Sequence, residues 1–383
     1  MSVTAAGGFR ASGIAAGIKE SGAPDLALVV NSGPSFAAAG VFTSNRVQAA
    51  PVRWSRRVLA DGSVRAVVLN SGGANACTGR PGAEDTRTGA ELTARALGTA
   101  ADEVAVCSTG LIGTRLPMEA YSAGIATAAA RLSPDGGPDA AEAILTTDSV
   151  PKTARFAGAG WTVGGMAKGA GMLAPGLATM LVVLTTDAEA SPAVLDPALR
   201  EAVRTTFDRV DSDGCMSTND TVLLLASGAS GVTPEPAELA RAVHTVCRDL
   251  ARQLVADAEG ASKEITVEVV GAASERDAVT VGRSVARNNL LKCALHGEDP
   301  NWGRVLSAIG TTDAVFDPDL LDVAINGVWV CRDGAEGEPR RLADLSGRHV
   351  TVTVDLRAGR ESASVWTNDL TAEYVHENSA YSS

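Results

Sequence analysis

Apolar positions along the chain alternate between the spacing of strands and the spacing of helices. Residues 66–70 form a short unbroken apolar run that stops at SGGANACTG, which predicts a buried strand running into a Gly-rich loop. A helix is predicted over 84–97 and a strand over 103–107, the strand leading into Ser108-Thr109-Gly110. A further helix is predicted over 117–132, with Pro117 in its first turn. A short helix is expected over 139–145, ending in TTDSVPK. From 161 to 187 a Gly-rich loop precedes an apolar strand that begins near Thr179. The next helix is expected to be capped by Asp196, with Pro197 at its first position.

After a strand at 222–226, a long amphipathic helix is predicted over 235–257. Its apolar stripe is Leu239, Val243, Val246, Leu250 and Leu254, and Gly260 lies just beyond its end. Residues 265–269 alternate with the period of two. Helical patterns follow at 288–295 and 302–309, then strands near 323–331, 350–356 and 362–367. Arg357-Ala-Gly-Arg360 lies between the last two strands and reads as a hairpin turn. A domain boundary is placed near Gly260, giving a larger domain over 1–260 and a smaller one over 261–383. The fold class is α/β or α+β, with mixed sheets covered by helices.

Charge narrows the partners. Lys plus Arg is 33 against 45 Asp plus Glu, so the net charge is −12. Such an acidic chain is poorly suited to nucleic acid or anionic membranes, and 4% aromatic residues leave few platforms for bases. The six cysteines form no CxxC pair and the four histidines no HxxxH pair, so neither a disulfide framework nor a zinc enzyme is expected. The N-terminus lacks a basic start followed by an unbroken apolar stretch, and a cytoplasmic protein is expected.

Several short patterns carry little chemistry. Arg10–Ala15 fits an RxxGxA pyrophosphate loop and Gly169–Ala174 fits GxGxxA, but Pro175 would interrupt the helix that the second requires. Ser149 and Lys152 fit SxxK, where Pro151 is awkward for a helix. Lys168 to Met180, KGAGMLAPGLATM, says more. There a Gly-rich loop stops at a small residue, and Thr179 leads into an apolar strand. A Thr hydroxyl is a weak nucleophile unless a base is beside it. A newly exposed N-terminal amine on the same residue is such a base, with an unperturbed pKa of about 7.7–8.0.

KGAGMLAPGLATMLVVLTTDA, TTDSVPK, NACTG, STGLIG, DAEGASKEI and HGEDPNWGR together resemble the ornithine acetyltransferases, from about Val41 to the terminal ENSAYSS. These are the glutamate N-acetyltransferases of the cyclic arginine pathway. The resemblance implies a self-processing α-β-β-α sandwich with a smaller C-terminal α/β domain. It implies cleavage of the Ala178–Thr179 bond into chains 1–178 and 179–383. Thr179 then takes acetyl from N-acetylornithine and passes it to glutamate, a ping-pong transfer. The STG motif implies an oxyanion hole of the Thr109 hydroxyl and the Gly110 N–H. Substrate contacts carry over to Thr146, Lys168, Thr179, Glu259, Asn378 and Ser383. Without the resemblance Lys168 reads as a solvated loop charge, Glu259 as a helix-end residue, and Asn378 and Ser383 as a frayed tail. No cofactor and no metal are implied, while acetyl-CoA stays open as a second acetyl donor. Two cleaved pairs are expected to form an α2β2 heterotetramer. Two rival readings are a self-processing N-terminal-nucleophile aminopeptidase, in which water is the acceptor, and a non-enzymatic amino-acid-binding protein.

Overall fold

The computed structural model describes residues 2–171 and 180–380. Ala178, Thr179 and Ser383 lie outside the described residues, as does the second half of the GxGxxA pattern. The chain forms two compact units, Met1–Asp208 with Cys215–Leu254, and Arg209–Gly214 with Val255–Ser382.

The first unit begins with β1 (Phe9–Ile14), β2 (Leu26–Asn31), β3 (Ala38–Phe42), α1 (Ala50–Val58), β4 (Ala66–Ser71), α2 (Gly79–Leu97) and β5 (Val104–Thr109). It continues with α3 (Met118–Ala130), α4 (Gly137–Ala143), β6 (Lys152–Ala157), β7 (Thr162–Lys168) and β8 (Leu181–Thr186). It closes with α5 (Pro192–Thr205), β9 (Thr221–Ala226) and α6 (Pro236–Ala256). One sheet has the order β1-β2-β4-β5 and the other β3-β9-β8-β7-β6. Their facing sides share one core, in which Val29, Val67 and Leu69 meet Met166, Val183 and Leu223. The outer side of the first sheet packs Leu28, Val68 and Val106 against Tyr121 and Ile125 of α3 and Ala90 of α2. Across the second sheet, Val246 and Leu250 of α6 lie where a side chain on Gly165 would stand. The layers are therefore α-β-β-α. Strands covered on both faces have no reason to alternate, and β4, β5, β8 and β9 are buried at every position.

The second unit contains β10 (Glu264–Ala272), α7 (Glu275–Ala286), α8 (Asn289–His296), α9 (Trp302–Ile309) and β11 (Asp322–Ile325). After these come β12 (Val328–Arg332), β13 (Ala335–Glu336), β14 (His349–Asp355), β15 (Glu361–Asn368) and α10 (Ala372–Ala380). Its sheet runs β13-β12-β11-β14-β10-β15. β10 and β14 alternate buried and half-buried positions, as expected where only one face is covered. The covered face packs Val267, Val269 and Val352 against Val281 and Val285 of α7 and Val305 and Ile309 of α9.

Three local expectations are corrected. The Gly-rich loop expected from 161 instead contains β7, with Gly164 and Gly165 inside the strand. The helix expected to start at Pro197 starts at Pro192, with Ser191 at the cap position. Ser191-Pro192 is an equivalent start signal one and a half turns earlier, Pro197 is exposed, and Asp196 pairs with Arg200 instead of capping. The β14 and β15 strands do not form a hairpin, because β10 lies between them, parallel to β14 and antiparallel to β15. The residues after Arg357 wrap the end of β10: Ala358 and Gly359 both donate their N–H to the Gly271 carbonyl.

Candidate active site

β4 and β5 are parallel neighbours and end together, with Ser71 opposite Thr109. The loops that follow are tied to each other. Gly73 N–H donates to the Thr109 carbonyl at 2.9 Å, and Ala74 N–H to that of Leu111 at 3.1 Å. Thr109 is buried. Gly110 has φ +124°, and a Cβ there would stand 2.6 Å from the Gly73 nitrogen, so only glycine fits.

Lys168 closes β7 on the other sheet, opposite Leu181 of β8. It is not a solvated loop charge: its side chain is 1% exposed. Its Nζ donates to Thr146 Oγ1 at 2.6 Å and reaches Thr109 Oγ1 at 3.4 Å. The two sheets therefore meet chemically at this lysine, which joins three of the expected site residues.

Asp148, which the sequence did not single out, organises the cluster. It is fully buried. Its Oδ1 accepts from Lys152 Nζ and from Gly169 N–H, both at 2.5 Å. Its Oδ2 accepts from Thr146 N–H at 3.1 Å and stands 3.5 Å from Lys168 Nζ. Burial alone would push this carboxyl up, but the ammonium groups of Lys168 and Lys152 and the donated hydrogen bonds hold it well below the usual carboxylate range. Lys19 stands nearby, with its Nζ donating to the carbonyls of Leu145 and Pro24. Burial lowers its pKa, opposed by Asp25.

Two more residues escaped the sequence reading. Asn219 Nδ2 donates to the carbonyls of Ala74 and Ser108, and Asp220 Oδ1 accepts from Met180 N–H at 3.0 Å. They belong to STND, just ahead of β9. A buried amide and carboxylate set against an apolar strand were the available signal.

Glu259 and Asn378 meet in the second unit, where Asn378 Nδ2 donates to Glu259 Oε2 at 2.9 Å. Glu259 is buried, and Thr371 Oγ1 donates to the carbonyl of its neighbour Gly260. Asn378 therefore sits on a docked helix and not on a frayed end. Gly260 has φ +60°, and a Cβ on it would lie 2.2 Å from the Tyr374 nitrogen.

Several alternative chemistries find no support. Arg10–Ala15 overlaps β1, so it is not a loop opening a helix. Ser149 and Lys152 do not share a helix, since Lys152 begins β6. Ser262, His296 and Asp369 look like a catalytic triad by composition. Both Ser262 Oγ and Asp369 Oδ2 approach the same ring nitrogen of His296, Nδ1, whereas a relay needs one partner at each nitrogen. Among the described residues no cluster suited to a metal occurs, and no helix is long and apolar enough to cross a membrane.

An α-β-β-α sandwich with a buried Lys–Asp–Thr cluster at the ends of strands from both sheets defines an enzyme scaffold with a polar site at its core. Over residues 10–383 the sequence matches the family model described as the ArgJ family. It is 70% identical to the arginine biosynthesis bifunctional protein ArgJ of Streptomyces coelicolor, covering 100% of both chains. It is 65% identical to that of Thermobifida fusca, again over 100% of both. A solved chain of ornithine acetyltransferase complexed with ornithine, from Mycobacterium tuberculosis, is 57% identical, with a TM-score of 0.45. That match covers 47% of this chain and 96% of the solved one. The chain belongs to the ArgJ family, a family of acyltransferases in arginine biosynthesis.

Proposed function

We propose that this chain cuts itself between Ala178 and Thr179 and that Thr179 then carries acetyl from N-acetylornithine to glutamate. The observation that carries the reading is Lys168, a buried ammonium that touches Thr146 and Thr109 and lies opposite Leu181, two residues beyond Thr179. The name of the relatives, arginine biosynthesis bifunctional protein ArgJ, supports the pathway.

In the first step Thr179 Oγ attacks the Ala178 carbonyl, the C–N bond breaks, and the resulting ester is opened by water. The freed amine of Thr179 stands beside its own hydroxyl as general base. It takes the hydroxyl proton as Oγ attacks the acetyl carbonyl of N-acetylornithine. Ornithine leaves with that proton, and the acetyl remains as an ester on Oγ. The glutamate amine reverses the sequence and leaves as N-acetylglutamate. The Thr109 hydroxyl and the Gly110 N–H stabilise the oxyanion in both halves, a role in which each donor contributes several kcal/mol. Lys168 holds the substrate carboxylate as a point charge. Glu259 receives the cationic side chain of ornithine, with Asn378 and Ser383 completing the substrate contacts. Acetyl-CoA is a candidate second donor, and the cleaved chains assemble as an α2β2 heterotetramer.

The test supplies N-acetylornithine with and without glutamate and follows the acetyl group. N-acetylglutamate formed only when glutamate is present is the expected result. Free acetate released at the same rate in both cases would overturn transfer in favour of a hydrolase.

A further inference from the structure

We propose that Asn219 and Asp220 are positioning residues that lock the oxyanion strand and the strand following the nucleophile into one register. The inference rests on the acyl-transfer reading and names the part that aligns its two halves. That alignment needs an explanation, because the halves belong to different sheets. Thr109 ends β5 of the first sheet, while Met180, which precedes β8, belongs to the second. Besides the shared core, a direct side-chain contact between them near the site runs from Lys168 Nζ to Thr109 Oγ1 at 3.4 Å.

The segment 218–221 joins them through the backbone. Asn219 Nδ2 donates to the Ser108 carbonyl at 2.8 Å, which fixes the peptide unit leading into Thr109. The same nitrogen donates to the Ala74 carbonyl at 2.6 Å, which fixes the loop lying against Gly110. One residue later the grip passes to the other sheet. Asp220 Oδ1 accepts from Met180 N–H at 3.0 Å, and Thr221 N–H donates to the Met180 carbonyl at 3.2 Å. Both backbone groups of Met180 are thus held by two consecutive residues. The segment is itself anchored, since Thr43 N–H donates to the Asp220 carbonyl and Ala49 N–H to that of Thr218. Asn219 and Asp220 are almost wholly buried, so water offers no substitute for these bonds. The bonds of Asn219 Nδ2 and Asp220 Oδ1 to the backbone of Ser108, Ala74 and Met180 mark the two residues as groups that place the strands and not as groups proposed to meet substrate. Acceptance of the Met180 N–H needs an oxygen and no charge, and burial pushes the Asp220 carboxyl well above the usual carboxylate range.

The test uses the full chain with Asn219→Ala, Asp220→Ala and Asp220→Asn. Asn219→Asp serves as a same-shape variant lacking the two N–H donors. Acetyl transfer is measured per folded molecule, alongside amide hydrogen exchange of 106–110 and 180–184. Misplacement of an oxyanion donor by about an ångström lowers kcat about 10–100-fold. Asn219→Ala, Asn219→Asp and Asp220→Ala are expected to lower kcat by that factor with KM changed less than about twofold. Asp220→Asn, which keeps an oxygen acceptor, is expected to recover most of the loss and to keep the Met180 amide protected. Asp220→Asn as impaired as Asp220→Ala, a loss seen in KM alone, or an unchanged kcat in both alanine variants would overturn the brace. Exchange is read without activity. A wild-type chain that transfers no acetyl therefore overturns the acyl-transfer reading, and loss of Met180 protection in Asp220→Ala still decides the brace.

Discussion

Asp148→Asn tests whether the buried charge cluster holds the first unit together. The substitution keeps the shape and removes the charge. In its place stands one oxygen and one NH2 group, facing two ammonium groups and the N–H groups of Thr146 and Gly169. At least one donor then points at another donor, and Lys152 and Lys168 lose their shared carboxylate. Asp148, Lys152 and Lys168 are all 0–1% exposed, so solvent screening gives no discount. Breaking a buried pair from one side costs about 3–5 kcal/mol. A unit of this size shifts by about 2–4 °C in Tm per kcal/mol, so the variant is expected to melt about 6–20 °C lower at pH 7. The sign with pH follows from the depressed carboxyl. Its stabilisation is complete above the unfolded value near 4 and is lost as pH falls toward the lower native value. The gap between wild type and variant should therefore narrow below about pH 4. Adding Lys152→Met should cost less than the sum of the single changes, because the two groups touch. Thermal unfolding by circular dichroism from pH 7 to pH 3 reads all three effects. A variant within about 2 °C of wild type at pH 7, or a gap that ignores pH, would refute the reasoning.

Thr109→Ala is expected to lower kcat about 10²–10³-fold with little change in KM, and Thr109→Ser to restore most of it. Steady-state acetyl transfer reads both, and a kcat within threefold of wild type in the alanine variant would remove Thr109 from the oxyanion hole. Gly260→Ala places a Cβ 2.2 Å from the Tyr374 nitrogen at a φ of +60°. The strained φ alone costs about 1–2 kcal/mol. Lower thermal stability and faster amide exchange in α10 are expected, and unchanged exchange there would show that Gly260 is not what α10 docks on.

Long periodic elements were legible in the sequence because their signal is local. The stripe of α6 was read from spacing, and all five of its residues are buried. Elements whose evidence is spread out were not. β7 carries two glycines, Gly164 and Gly165, which mask a strand. Gly165 lies within β7 and makes room for Val246 and Leu250 of α6. The apparent hairpin at Arg357 failed because the strand that fills the gap between β14 and β15 is β10, far earlier in the chain, and the linking residues bond to Gly271 at its end. Lys168 looked solvated since the group that retains it, Asp148, is separated by twenty residues and a strand pair. Asn219 and Asp220 reach partners up to 145 residues away, beyond any window of sequence. Family resemblance supplied Thr146, Glu259 and Asn378, whose residue types alone carry no chemistry.

The central claim is self-cleavage at Thr179, and denaturing electrophoresis with N-terminal sequencing of the purified chain tests it most directly. Two fragments are expected, the second starting Thr-Met-Leu. Thr179→Ala is expected to remain one inactive band, and Thr179→Ser still to cleave. A wild-type chain that stays whole and transfers acetyl would contradict the account.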